Sequence, residues 1–206
     1  MTIWVDADDT ILDLNTRIIN YFNNECYTEI KDRYPDGVQK EHIKTFNVLH
    51  ISNKIMHLFE SADMYHKNNE ILVKPVEEAY EFFVIINDIC KKYGVEYKIL
   101  THSMSDDAAK SKDYILNKHF GISKDKIVHA KEKENHVQEN DIIIDDAIHN
   151  HEVILEKYNI KNRNNLNFMP KQPWNNKLKS VFRGDILEIA NKIKENFENN
   201  IYKIEI

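Results

Sequence analysis

Apolar and polar positions alternate along this chain in two registers. Four short runs, Thr2–Val5, Tyr97–Leu100, Lys126–His129 and Asp141–Ile144, are β-branched or aromatic in character and bounded by polar residues. That is the pattern of strands buried on both faces. Between them the period lengthens to that of a helix. Val76–Tyr93 (VEEAYEFFVIINDICKKY) follows Pro75 and is stopped by Gly94. Asp106–Phe120 precedes Gly121, placed to cap it, and Val181–Phe197 reads as a further amphipathic helix. Strands alternating with helices predict an α/β fold, a parallel sheet flanked by helices.

The stretch from about Ile11 to Lys74 breaks this alternation. It reads as helices over Thr16–Glu25, Lys40–Val48 and Ser52–Glu60, with no convincing strand and a turn at Tyr34-Pro35-Asp36-Gly37. The simplest organisation is a core formed by residues 1–13 and 75–206, with a small helical cap, residues 14–74, inserted after the first strand.

Composition narrows the class. A chain of 206 residues, 42% hydrophobic and 30% charged, can bury a real core. The net charge of -6, with Lys and Arg scattered, argues against an extended nucleic-acid surface but leaves room for a small phosphorylated ligand. Two distant cysteines, Cys26 and Cys90, make neither a disulfide framework nor a structural zinc site. No apolar run approaches the roughly 20 residues that cross a membrane. The first strand begins too early for a signal peptide, so a cytoplasmic location is expected.

Candidate chemistry sits at the strand ends, where open parallel sheets collect ligands. The first strand runs into Asp6-Ala7-Asp8-Asp9-Thr10, the second into Thr101-His102-Ser103 and the last into Asp145-Asp146. Taken alone, Asp8 and Asp9 could cap a following helix. Taken together, acidic pairs from two strand ends call for a divalent cation, and hard oxygen ligands suit Mg²⁺. His149 and His151 lack a third partner at metal spacing and read as loop or cap residues, while Asn150 reads as a tie for the loop carrying the acidic pair.

These motifs resemble, in order, those of the haloacid dehalogenase superfamily of phosphohydrolases. VDADDTILD matches its DxDxT motif, ILTHS its second motif and IIIDDAIHN its fourth. VKPVEEAYEF, SKDYILNKHFG and FMPKQPWN are similar to the 5'(3')-deoxyribonucleotidases within it. The resemblance implies a Rossmann-like core with a small cap, and a Mg²⁺-dependent phosphomonoester hydrolase working through an aspartyl-phosphate. Asp6 would be the nucleophile and Asp8 the general acid and base. Asp6, the Asp8 backbone carbonyl, Asp145 and Asp146 would hold Mg²⁺. Thr101 and the His102 backbone would grip the phosphate with Lys112, for which Lys110 is a nearby rival. Lys131 and Lys133 resemble positions that approach the substrate. Phe46, Phe59 and Tyr65 fall where the nucleotidases stack aromatics on a base, although helical aromatics also pack a cap's own core.

The chain departs from the subfamily at Asp9-Thr10, where DxDGV is usual, and at AIHNHEV after the acidic pair. The implied substrate is a deoxyribonucleoside monophosphate. A sugar phosphate, a nucleic-acid end phosphate or a nucleotide-binding module without turnover remain as alternatives, and a homodimer stays open. The intact Asp6 and Asp8 speak against the module.

Overall fold

In the computed structural model, which describes residues 1–43, 48–161, 163, 165–178 and 180–202, β1 (Thr2–Val5) lies inside a six-stranded sheet. The chain continues through α1 (Leu14–Glu25), α2 (Tyr27–Ile30), α3 (Ile55–Phe59) and a two-stranded hairpin of β2 (His66–Lys67) and β3 (Glu70–Ile71). Then come α4 (Ala79–Tyr93), β4 (Glu96–Thr101), α5 (Asp106–Phe120) and β5 (Ile127–His129). The last part contains β6 (Ile142–Ile144), α6 (Ile148–Lys157), β7 (Asn167–Pro170), β8 (Phe182–Gly184) and α7 (Ile186–Glu198).

Strand order in the large sheet is β5-β4-β1-β6-β7-β8, and every pairing is parallel. From β1 the chain winds outward through β4 and β5, then crosses to β6 on the other side. The order therefore reverses at β1, and the crevice beyond the carboxyl ends of β1, β4 and β6 is where such a fold presents a ligand.

The two-residue alternation of the strands feeds two buried clusters. Ile3, Val5, Ile99, Ile142 and Ile144 pack with Phe82 and Ile86 of α4 and with Ile189 and Ile193 of α7. Trp4, Leu100 and Ile143 pack with Ile154 of α6. Trp4 also donates its indole N–H to Asp141 Oδ2 at 2.9 Å, so the bulkiest residue of β1 is buried with its polar atom satisfied.

Expected and observed elements differ at definable points. α5 keeps its expected limits because Ser105 caps the N–H of Ala108 and Gly121 turns left-handed at φ 67°. α4 begins at Ala79, later than Val76, because Glu78 sits at φ 65° and cannot be helical. The expected helix over Val181–Phe197 is corrected: Phe182–Gly184 forms β8, and α7 starts only after a capping box between Asp185 and Glu188. β7 is a further strand, buried along its whole length.

The insertion keeps α1 close to its expected span, capped by Asp13, and shortens Ser52–Glu60 to α3. Among the described residues of Lys40–Val48, the turn Lys40–His42 ends at Ile43, which is not helical, and another turn spans Val48–His50. Phe46 falls outside the described residues. The expectation of no strand is corrected by the hairpin β2–β3, whose strands are too short to show a period. Its signal is Asn68-Asn69, both left-handed, the backbone that a tight hairpin turn demands.

Candidate active site

β1 ends by donating Asp6 N–H to Ile144 O at 2.8 Å, which fixes the first carboxylate beside the end of β6. The chain then turns sharply through Asp9, whose φ of 55° is left-handed. Such a backbone favours glycine, the residue usual in the resembled subfamily. Here the Asp9 carboxylate compensates by accepting the N–H of Asn15 at 2.9 Å, tying the motif to the start of α1. Gln172 Nε2 holds the Asp9 carbonyl at 2.7 Å from the loop after β7.

Two buried lysines divide the acidic groups between them. Lys133, on the turn Lys133–Asn135, places Nζ 2.6 Å from Asp6 Oδ1 and 2.7 Å from Asp145 Oδ2. Lys112, on α5 and fully buried, places Nζ 2.8 Å from Asp8 Oδ2 and 2.9 Å from Thr101 Oγ1. It also donates to the His102 carbonyl. Asp6 and Asp8, two residues apart, thus face different cations. A buried carboxylate without such a partner would be costly.

Lys133, expected beside the substrate, lines the cavity and bridges two carboxylates at the base of the site. Tyr65, expected as a stacking ring, lines the cavity and donates its hydroxyl to Asp8 Oδ2 at 2.9 Å. The reason is shared: buried negative charge recruits the nearest donors that can reach it. Phe59 lines the cavity from α3. Lys131 also lines it, whereas Lys110 pairs with Asp107 on the exposed side of α5.

Asp6, Asp145 and Asp146 bring a carboxylate oxygen each within 4.8 Å of one another. Asp146 Oδ2 is buried and has no hydrogen-bond partner among the described residues, so it is an acceptor waiting for a cation or a proton. All three donors are hard oxygens, the set that suits Mg²⁺ rather than a softer metal. The Asp8 carboxylate stands outside this group.

Burial dominates the electrostatics. It raises the Asp6 carboxyl to about 6, against the opposing charge of Lys133 and with help from Asp145 and Asp8. Burial likewise lifts Asp146 well above the aspartate range, reinforced by Asp9 and Asp145. Burial would lift Asp145 too, but Lys133 and the Asn150 hydrogen bond hold it below its ordinary value. Burial disfavours charged Lys133, yet Asp145 and Asp6 overcome it and keep the ammonium. Burial pushes His151 towards neutral imidazole, and the nearby lysines add to burial in doing the same to His102.

The loop after β6 is braced on all sides. Asn150 Nδ2 donates to Asp145 Oδ2 at 2.9 Å, and Ala147 N–H donates to Asp145 Oδ1 at 2.9 Å. His151 Nε2 lies 2.8 Å from the Asp145 carbonyl, which makes it a structural tie. Asn175 Nδ2 donates to the Asp146 carbonyl at 2.9 Å. The sequence alone assigns Asn175 and Gln172 no role, although both lie within FMPKQPWN. Only the tertiary path of that loop reveals what they touch.

Above these groups opens a cavity of about 560 Å³. Asp6, Asp8, Thr101, His102, Lys133, Asp145 and Asp146 line its floor. Ile18, Ile43, Val48, Leu49, Met56 and Phe59 of the insertion line its far wall, with Trp174 from the loop after β7.

Comparison with known proteins adds an independent line. A family model described as "5' nucleotidase, deoxy (Pyrimidine), cytosolic type C protein" matches residues 1–191. No curated protein sequence matches. Among solved structures, a haloacid dehalogenase-like family hydrolase from Streptococcus pneumoniae is similar, with 12% sequence identity and a TM-score of 0.48, covering 92% of this chain and 96% of that one.

Proposed function

The chain belongs to the deoxy (pyrimidine) cytosolic type C family of 5' nucleotidases, phosphohydrolases of the haloacid dehalogenase type, and from that premise we propose that it hydrolyses deoxyribonucleoside monophosphates. In this reading residues 14–74 are a cap over a core of residues 1–13 and 75–206. The observation that carries it is one cavity with two unlike sides. A floor of paired carboxylates and lysines suits a phosphoryl group, and an apolar wall suits a flat, weakly polar leaving group.

Asp6 attacks phosphorus as the bond to the leaving oxygen breaks, and an acyl phosphate, a mixed anhydride, forms. Asp8 gives its proton to that oxygen, so the nucleoside departs as a neutral alcohol. Water then loses a proton to Asp8 and attacks the same phosphorus, which frees Asp6 and phosphate. Thr101, the His102 backbone, Lys112 and Lys133 offer donors to the phosphoryl oxygens. Asp6, Asp145, Asp146 and the Asp8 carbonyl would hold Mg²⁺, which supplies positive charge against the phosphoryl oxygens and the acidic floor.

The test is turnover of a panel of phosphomonoesters with Mg²⁺: 5' and 3' deoxyribonucleotides, ribonucleotides, sugar phosphates, an oligonucleotide with a terminal phosphate, and p-nitrophenyl phosphate. A preference for deoxynucleotides is the expected result. A preference for sugar phosphates or nucleic-acid ends would keep the chemistry and replace the substrate. Nucleotide binding without turnover would overturn both.

A further inference from the structure

Tyr65 belongs to the insertion, yet its hydroxyl reaches the carboxylate proposed as the acid. Two donors, Tyr65 Oη at 2.9 Å and Lys112 Nζ at 2.8 Å, converge on the same oxygen, Asp8 Oδ2. The other oxygen, Oδ1, is buried and has no partner among the described residues. Two donors on one oxygen fix the plane of the carboxyl group. Oδ1 is then the atom left to hand over a proton.

The backbone carrying Tyr65 is built on the helix that carries Lys112. Tyr65 follows the single turn Ala62–Met64, which Ser61 caps. Ser111 of α5 donates to the Ala62 carbonyl at 3.0 Å and meets His66 Nδ1 on the other side of Tyr65. Ser105, the cap of α5, donates to the Glu60 carbonyl. From α1, Arg17 Nη2 donates to the Asp63 carbonyl at 3.0 Å. Lys112 Nζ lies 5.2 Å from the centroid of the Tyr65 ring, so the two donors also support each other. The residue is only 4% exposed, so its hydroxyl is held in a largely enclosed place at the edge of the cavity.

We propose that Tyr65 is a positioning residue that aligns Asp8 for proton transfer, and that it does so through the seating of the insertion on α5. The general acid is then complete only with the insertion docked, which links closure over the substrate to the step that releases it. This rests on the phosphatase reading above but not on the leaving group being a nucleoside.

Tyr65→Phe tests it by removing one hydroxyl and keeping the ring. The readout compares phenyl phosphate with p-nitrophenyl phosphate, esters of nearly equal shape. Phenolate leaves poorly without a proton, whereas p-nitrophenolate is a stable anion. We expect kcat on phenyl phosphate to fall about tenfold with KM within about twofold, and the loss on p-nitrophenyl phosphate to be several-fold smaller. In an Asp8→Asn background the same change should cost nothing further. Equal losses on both esters, or a raised KM with kcat intact, would overturn the assignment and make Tyr65 a packing or binding residue. A wild type inactive on every ester would sink the phosphatase reading, and the role of Tyr65 with it.

Discussion

The floor and the far wall of the cavity are built on opposite principles. The floor gathers Asp6, Asp8, Thr101, Lys133, Asp145 and Asp146 from the ends of β1, β4 and β6 and from the turn at Lys133, with Lys112 of α5 buried behind Asp8. All of these charges but the half-buried Asp8 are buried, and most are paired at 2.6–2.9 Å, so small displacements would be costly. The wall gathers Ile18, Ile43, Val48, Leu49, Met56 and Phe59 from α1, α3 and short turns, and carries no charge. Dispersion contacts tolerate rearrangement as long as volume is kept. One side is suited to fixed chemistry and the other to adjustable selection of what is attached to the phosphate.

If that division holds, the largest effects come from the floor. Asp6→Asn should lower turnover about a thousandfold or more on every substrate, because an amide cannot form the phosphoenzyme. Circular dichroism and thermal unfolding should show the fold intact. Near-normal steady-state rates would break the covalent mechanism.

Removing the metal comes next. Chelation should abolish activity and Mg²⁺ restore it, while Ca²⁺, with its looser coordination, should inhibit. Asp146→Ala should raise the Mg²⁺ needed for half-maximal rate by at least about tenfold, since it deletes a buried carboxylate oxygen that has no partner among the described residues. Full activity of the wild type in chelator would reject the metal reading.

The same contrast explains how far the sequence could be read. The floor was legible because each group follows a strand with a clear apolar pattern, and a parallel sheet brings strand ends together. Asp6, Asp8, Thr101 and Asp145 need only that topology to become neighbours. What the lysines touch was not legible, because Lys133 belongs to a short turn whose direction no periodicity records. β7 and β8 were missed for a related reason: β8 is three residues long and leads straight into α7, so its apolar residues merge with the helical pattern. The insertion that supplies the wall was, beyond α1, the least legible part. Single turns and a hairpin of two-residue strands carry almost no period, and hydrophobic spacing there suggested helices longer than those that form.

An intermediate effect should come from the cation that stabilises the floor. Lys133→Met leaves Asp6 and Asp145 buried without their counter-charge. The expected cost is about 3–5 kcal/mol in denaturant unfolding, because a charge stripped of its partner keeps its full desolvation penalty. Mg²⁺ should recover part of that loss, and more of it than the same concentration adds to the wild type, by binding the native carboxylates. Unchanged stability would mean that the short distances from Lys133 reflect proximity rather than a pairing the fold needs.

The smallest effect is expected at the wall, and it decides whether the wall selects anything. Phe59 is half-buried on α3 and faces the cavity. An apolar ring takes no part in the floor's hydrogen bonds and ion pairs, so its removal should leave the chemistry of the phosphoryl group alone. If its ring covers a nucleobase, Phe59→Ala removes a stacking surface worth roughly 1–3 kcal/mol. We expect kcat/KM for a deoxynucleoside monophosphate to drop about tenfold, mainly through KM, because the base is held alike in the ground and transition states. The rate on p-nitrophenyl phosphate, whose leaving group is too small to span the cavity, should change far less. A loss of the same size on both esters, accompanied by a lower unfolding temperature, would identify Phe59 as packing for the insertion. The wall would then be a lid without preference, and selection among leaving groups would have to come from polar residues at the cavity rim.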